Sequence, residues 1–150
     1  MTMPGSLRRQ RGSETVEFAI SATLLFLLLF GIIEFSVALF DKATLTNASR
    51  EGARTGILYR PASRDLVAED AAIEQAIRDY ADQYLISLGG PAEMDITIER
   101  FDRDASGAFD AGDDLSVIID YPYQFLLLPS FVGTLGETFA LSTTTVMRAE

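Results

Sequence analysis

From Phe18 to Phe40 the chain carries one charged side chain, Glu34, and residues 18–33 carry none. About 20 consecutive apolar residues suffice for a helix to cross the hydrocarbon core of a bilayer, and residues 18–40 reach that length. The competing explanation is a buried core helix. A chain of 150 residues has too little interior to surround a helix that is apolar on every side. Glu34 lies toward the far end of the run, where its carboxylate can reach the interface or a neighbouring helix.

The flanks give the run a direction. Arg8, Arg9 and Arg11 precede it, and by the positive-inside rule they stay in the cytoplasm. The part from Asp41 onward carries the whole net charge of −10 and is expected on the far side. The acidic balance argues against nucleic acid as a partner, because phosphates call for a basic face. The chain has no Cys and no His. That excludes disulfides, thiolate metal sites, His-ligated metals and Ser–His or Cys–His catalysis. A carboxylate-pair hydrolase is the one enzyme class left. It needs two acids about 5–9.5 Å apart across a cleft, and no motif offers them, so no enzymatic activity is expected.

Between the arginines and the apolar run stands Gly12-Ser13-Glu14-Thr15-Val16-Glu17-Phe18. A secretory signal has a shorter apolar region, followed by a small-residue cleavage site. Here the chain runs on as Asp41-Lys42-Ala43-Thr44. Ser13 is a candidate N-cap, with Glu14 and Glu17 at the positive end of the helix dipole. Capping accounts for Glu14 better than for Glu17, which abuts the apolar run.

These residues resemble the N-terminus of type IV pilin-like proteins. In that pattern a basic leader ends in Gly, and Glu stands fifth in the mature chain, followed by an aromatic. The cut would fall between Gly12 and Ser13, with Glu17 fifth and Phe18 the aromatic; Ser13 replaces the Phe that opens many mature pilins. Leu29-Phe30-Gly31-Ile32-Ile33-Glu34-Phe35, Asn47-Ala48-Ser49-Arg50-Glu51-Gly52-Ala53-Arg54 and the closing Val146-Met147-Arg148-Ala149-Glu150 are similar to TadE-like minor pilins (pseudopilins) of the tight-adherence, or Flp, pilus system. The resemblance implies cleavage by a prepilin peptidase and pairing of Glu17 with a neighbouring subunit's N-terminus. It implies contact with other minor pilins, the major Flp pilin and an inner-membrane assembly platform. The location implied is the inner membrane, single-pass, N-terminus in the cytoplasm and C-terminal domain periplasmic, with an extracellular position in the pilus after assembly.

No Pro lies between Pro4 and Pro61. The first helix is therefore expected from about Glu14 to Ile57, about 66 Å at 1.5 Å per residue. In its outer half Leu45, Ala48, Gly52 and Ala53 form a small-residue stripe. Gly52 and Gly56 weaken the helix but permit close approach. Arg50, Glu51 and Arg54 read as a solvated or partner-facing edge. Pro61-Ala62-Ser63 breaks the helix. A second helix is expected from about Asp65 to Leu88, apolar at Leu66, Ile73, Ile77, Tyr80, Tyr84 and Leu88. Asp65, Glu69, Asp70, Glu74, Asp79 and Asp82 fall to its polar face. Ser63 or Asp65 caps it and Gly89-Gly90-Pro91 stops it. Strands are expected at residues 94–101, 115–123 and 138–147, with Pro122 at an edge or end. Residues 125–136 hold an apolar loop with Leu126, Leu127, Leu128, Phe131 and Val132. The fold class is α+β, a long N-terminal helix plus a head of one helix on a three-stranded antiparallel sheet. The chain divides into a leader (1–12), a membrane helix (13–40), its extramembrane continuation (41–60) and a globular domain (61–150).

Residues 102–113 match an EF-hand calcium loop in part. Asp102, Asp104 and Ser106 take positions 1, 3 and 5, Gly107 position 6, Asp110 position 9 and Asp113 position 12. Against this stand the short Asp at position 12, the positive Arg103, and flanks that read as strands. A hairpin loop using Asp and Gly for turn chemistry accounts for the same residues. Calcium is the only cofactor the sequence suggests. It also frames an alternative, a signal-anchored periplasmic binding module unrelated to pili.

Overall fold

The computed structural model describes residues 7–58, 64–86, 88–90, 92–126 and 139–150, with backbone alone at 7–11. The expected break at Pro61-Ala62-Ser63, the stop at Pro91, and Leu127, Leu128, Phe131 and Val132 lie outside them. Helix α1 spans Leu7–Ile57 and α2 spans Leu66–Tyr84. Strands β1 (Asp95–Phe101), β2 (Asp114–Tyr123) and β3 (Phe139–Arg148) form one antiparallel sheet in the order β1-β2-β3. The expected α+β class and architecture hold.

The strand period of two sets the core. Leu115, Val117, Ile119, Tyr121 and Tyr123 alternate along β2 and are buried. The register places Ile98 and Ile96 of β1 beside Val117 and Ile119. On the other side it places Met147, Thr145, Thr143 and Leu141 of β3 beside Leu115, Val117, Ile119 and Tyr121. That face carries the helices. Pro122 lies past Asp120, the last β2 residue paired with β1 at that end, so its missing N–H falls where the strand is an edge.

Helix α1 presents the small-residue stripe to this face. Leu45, Ala48 and Ala53 are fully buried, so residues 41–57 are part of the head's core. A Cβ on Gly52 would lie 2.5 Å from Ile77 Cγ1, and one on Gly56 2.5 Å from Leu115 Cδ2. The two glycines let α2 and β2 come against the α1 backbone. Two hydroxyl pairs, Thr46–Thr143 at 3.2 Å and Ser49–Thr145 at 2.5 Å, join α1 to β3. At the end of α1, Arg64 donates to Gly56 O (2.8 Å) and Glu150 N to Ile57 O (3.1 Å). Carbonyls that the helix itself leaves open are thus satisfied from elsewhere in the fold.

Helix α2 is capped by Asp65, whose Oδ1 accepts from Val67 N and Ala68 N. It stops at Tyr84, one turn before the sequence predicts. Leu85 still donates to Ala81 O, but Ile86 N donates to the Asp41 carboxylate on α1. A tertiary acceptor takes over from the next helical carbonyl. Gly89 serves a different purpose from helix termination: a Cβ there would collide with the carbonyl of Gln124.

Glu69 departs from its expected place on the polar face. It is buried at 1% exposure. Arg64 Nε reaches its Oε1 at 3.0 Å and Arg100 its Oε2 at 3.8 Å. Arg100 also reaches Asp70 at 2.6 Å, and both guanidinium groups lie over the Phe109 ring. The cluster ties α2 to β1, to the β1–β2 loop and, through Arg64, to the end of α1.

Candidate functional site: the exposed helix, its junction with the head, and the acidic loop

Gly12, Ser13, Glu14, Glu17 and Phe18 all lie exposed on α1. The helix already runs from Leu7, so Ser13 lies within it and does not cap it. Nothing in the sequence from Leu7 to Ser13 breaks a helix except Gly12, which costs only about 1 kcal/mol. Ser13 becomes a terminus only if the chain is cut before it.

Above Phe18 the helix is bare. Leu24, Leu25, Leu28 and Ile32 are each more than half exposed. Thr23 and Ser36 turn their hydroxyls back onto Ala19 O and Ile32 O, which satisfies them without water. Among the described residues this is the one helix long and apolar enough to cross a membrane.

The bare stretch ends at Glu34, whose side chain is fully buried. The end of β2 closes over it, with Tyr123 Oη and Leu126 N each donating to Oε1 at 3.1 Å. The span read from the sequence, residues 18–40, is thus free on all sides only to Ile33. Beyond it the head covers one face, at Glu34, Ala38 and Asp41, and leaves Phe35, Leu39 and Phe40 exposed on another. Burial, and then the Glu34 hydrogen bond, push the Tyr123 hydroxyl well above the usual tyrosine range.

Asp41, seven residues on, is fully buried as well. Its Oδ1 accepts from Ile86 N at 2.9 Å and its Oδ2 has no hydrogen-bond partner among the described residues. Burial raises its pKa above the ordinary carboxylate value, against the lowering effect of the Ile86 bond. The folded state therefore takes up this proton at a higher pH than the unfolded chain. Protonation favours the fold; the gain is complete below the unfolded pKa and is lost as pH rises through the folded one. Asp41→Asn keeps the acceptor for Ile86 and removes the buried charge. It is expected to raise the thermal midpoint at about pH 7, with the difference from wild type shrinking toward about pH 4. Parallel melting curves at the two pH values check this.

The acidic loop joins β1 to β2. Asp102, Asp104 and Asp113 bring carboxylate oxygens within 4.8 Å of one another. Asp102 accepts from Gly107 N (2.8 Å) and Ser106 N (3.2 Å), and Asp104 from Ser106 N (3.0 Å). These donors, the Gly107 N–H first, hold the Asp102 carboxyl below its usual range. Ser106 Oγ lies 3.2 Å from Asp110 Oδ2. Asp113 is buried and accepts from Arg103 N (2.8 Å) and Asp110 N (2.9 Å). Gly107 takes φ +83°, as a tight turn requires. The structure thus groups three of the five candidate ligands and links Ser106 and Asp110 to them. The Arg103 guanidinium, expected to oppose a cation, is paired with Asp114.

Sequence reading placed the exposed helix and the loop. It missed the lid over Glu34 and the Glu69 cluster. Glu69 sits four residues before Ile73 on the apolar face, which is the one signal that it faces inward. Tyr123 and Leu126 give no local signal, because they meet Glu34 only through the topology.

The geometry defines a helix-led chain with a small α+β head, its helix long and apolar enough to cross a membrane. Residues 12–54 match the family model for TadE-like protein, and over these residues the chain is similar to that family. The match takes in Gly12, Glu17 and the bare helix. It also takes in the stripe of Leu45, Ala48, Gly52 and Ala53 that packs into the head. No curated protein and no solved structure matches the chain.

Proposed function

We propose that this protein is a membrane-anchored minor pilin (pseudopilin) associated with the Tad, or Flp, pilus. It is cut by a prepilin peptidase between Gly12 and Ser13 and assembled through its N-terminal helix in pilus biogenesis and adhesion. The carrying observation is the TadE-like match over a helix whose large apolar side chains from Phe18 to Ile33 are exposed. A helix with that much exposed apolar surface needs lipid or other helices around it. In this reading the head stands in the periplasm and the role is structural. Glu17 supports it by position: cleavage would create an ammonium at Ser13, and an ion pair between neighbouring subunits in low dielectric would set register. Glu17→Gln is expected to leave membrane insertion and cleavage intact and to remove most of the protein from sheared pili. Quantitative immunoblots of membrane and pilus fractions measure both. Unchanged incorporation would remove Glu17 from assembly.

A second reading attaches to the acidic loop, where three carboxylates already converge. We propose one weak calcium site formed by Asp102, Asp104 and Asp113, with Ser106 and Asp110 beside it. Extracellular sites of this kind bind at about 0.1–1 mM. Millimolar calcium is expected to raise the melting temperature of the full chain by a few degrees, and Asp104→Asn to abolish the shift. No shift in wild type would leave the loop with turn chemistry alone.

A further inference from the structure

The bare part of α1 is shorter than a bilayer is thick. Residues 18–33 rise about 24 Å at 1.5 Å per residue, against a hydrocarbon core of about 30 Å. Tilt would shorten the projection further. Glu17 limits the helix below, and the head grips it at Glu34 above. The missing ~6 Å is made up either by thinning of the bilayer or by entry of the head's base.

The base is built for entry. Phe35, Leu126 and Phe139 are each about half exposed or more. Phe125 lies between them, its ring 5.9 Å from that of Phe35 and 6.0 Å from that of Phe139. This apolar rim is continuous with the exposed surface of the helix below it. The α1 carboxylates at this level are turned inward: Glu34 and Asp41 are both fully buried. After Glu17, the first charge that α1 leaves even partly open is Lys42, whose stem can carry its ammonium to the headgroups. On β2 the exposed carboxylate of Asp120 stands three residues above Tyr123, about 10 Å at 3.3 Å per residue. That leaves room for the required immersion.

We propose that the rim of Phe35, Phe125, Leu126 and Phe139 sits in the boundary between acyl chains and headgroups on the side of the membrane that holds the head. Glu34 goes below the surface already covered, its carboxylate taken by Tyr123 and Leu126. A bare carboxylate there would be costly to hold in lipid. The inference rests on the membrane-anchored reading above and adds a second lipid contact, made by the head itself.

The chain has no Trp, so a single introduced Trp reports its own surroundings. Full-length Leu126→Trp and Phe139→Trp are compared in lipid vesicles with Leu25→Trp, in the middle of the bare helix, and Phe101→Trp, exposed at the opposite end of the sheet. Lipids brominated close to the headgroup are expected to quench most of the emission at positions 126 and 139. Iodide in the water is expected to quench them several-fold less than position 101. If iodide quenches 126 and 139 as strongly as 101 while lipid bromine quenches 25, the anchor stands and the immersion is wrong. Shielding from both quenchers that fades on dilution into excess lipid would assign the rim to a second copy and overturn the proposal. Iodide access at position 25 would overturn the membrane reading itself.

Discussion

Glu69→Ala is expected to lower the unfolding free energy by about 3–5 kcal/mol, the usual cost of removing one partner from a buried ion pair. Glu69 is 1% exposed and stands between Arg64 and Arg100, each 14% exposed at the side chain. Without it, two guanidinium groups remain against the Phe109 ring. Among the described residues, only Arg100 then retains a carboxylate partner, Asp70. The loss differs from a surface ion pair such as Arg78–Glu74, whose partners are both more than 40% exposed and which contributes well under 1 kcal/mol. Glu74→Ala is therefore the control. Urea unfolding of the full chain in detergent compares the two midpoints. Equal shifts would show that the cluster adds nothing beyond a surface pair. Glu69→Met tests the sign of burial: an apolar side chain of similar volume still leaves the arginines unpaired, so it should rescue little.

The second large effect is at Glu34. Glu34→Ala leaves the Tyr123 hydroxyl and the Leu126 N–H without their acceptor in a covered site. An unsatisfied buried donor costs about 1–3 kcal/mol; the Tyr123 hydroxyl is buried and the Leu126 N–H only part-buried, so a total of about 2–4 kcal/mol is expected. Glu34→Gln keeps an acceptor oxygen and should recover most of it. Tyr123→Phe removes one donor and leaves Leu126 N its bond, so its cost should be near a single hydrogen bond, about 1 kcal/mol. Thermal midpoints are expected to fall most for Glu34→Ala, less for Tyr123→Phe and least for Glu34→Gln. Equal midpoints for Glu34→Ala and wild type would mean that the lid does not hold the helix.

These residues mark how far the sequence could be followed. The apolar run, the Gly52 and Gly56 approach, the alternation in β2 and the helix–sheet architecture are local patterns, and local patterns are legible. The Asp65 cap is legible for the same reason. Glu69 is not, because an acidic residue between other acidic residues reads as a solvated face; its two arginines come from a loop and a strand rather than from its own helix. The early end of α2 depends on Asp41, 45 residues away from Ile86. The Glu34 lid depends on contacts 89 and 92 residues apart. In each case a polar group chooses a tertiary partner over a local one, and spacing along the chain cannot announce it. At the candidate site, Gly12, Ser13, Glu17 and Phe18 were singled out by a resemblance alone, and the structure shows them exposed on one continuous helix.

The proposed function is that this helix leads a processed assembly subunit. Its most direct test is the intact mass of the full-length protein taken from membranes of cells with an active prepilin peptidase. A chain beginning at Ser13 is predicted, and Gly12→Leu should leave the leader attached. A wild-type chain that still begins at Met1 in those cells would rule out processing at Gly12.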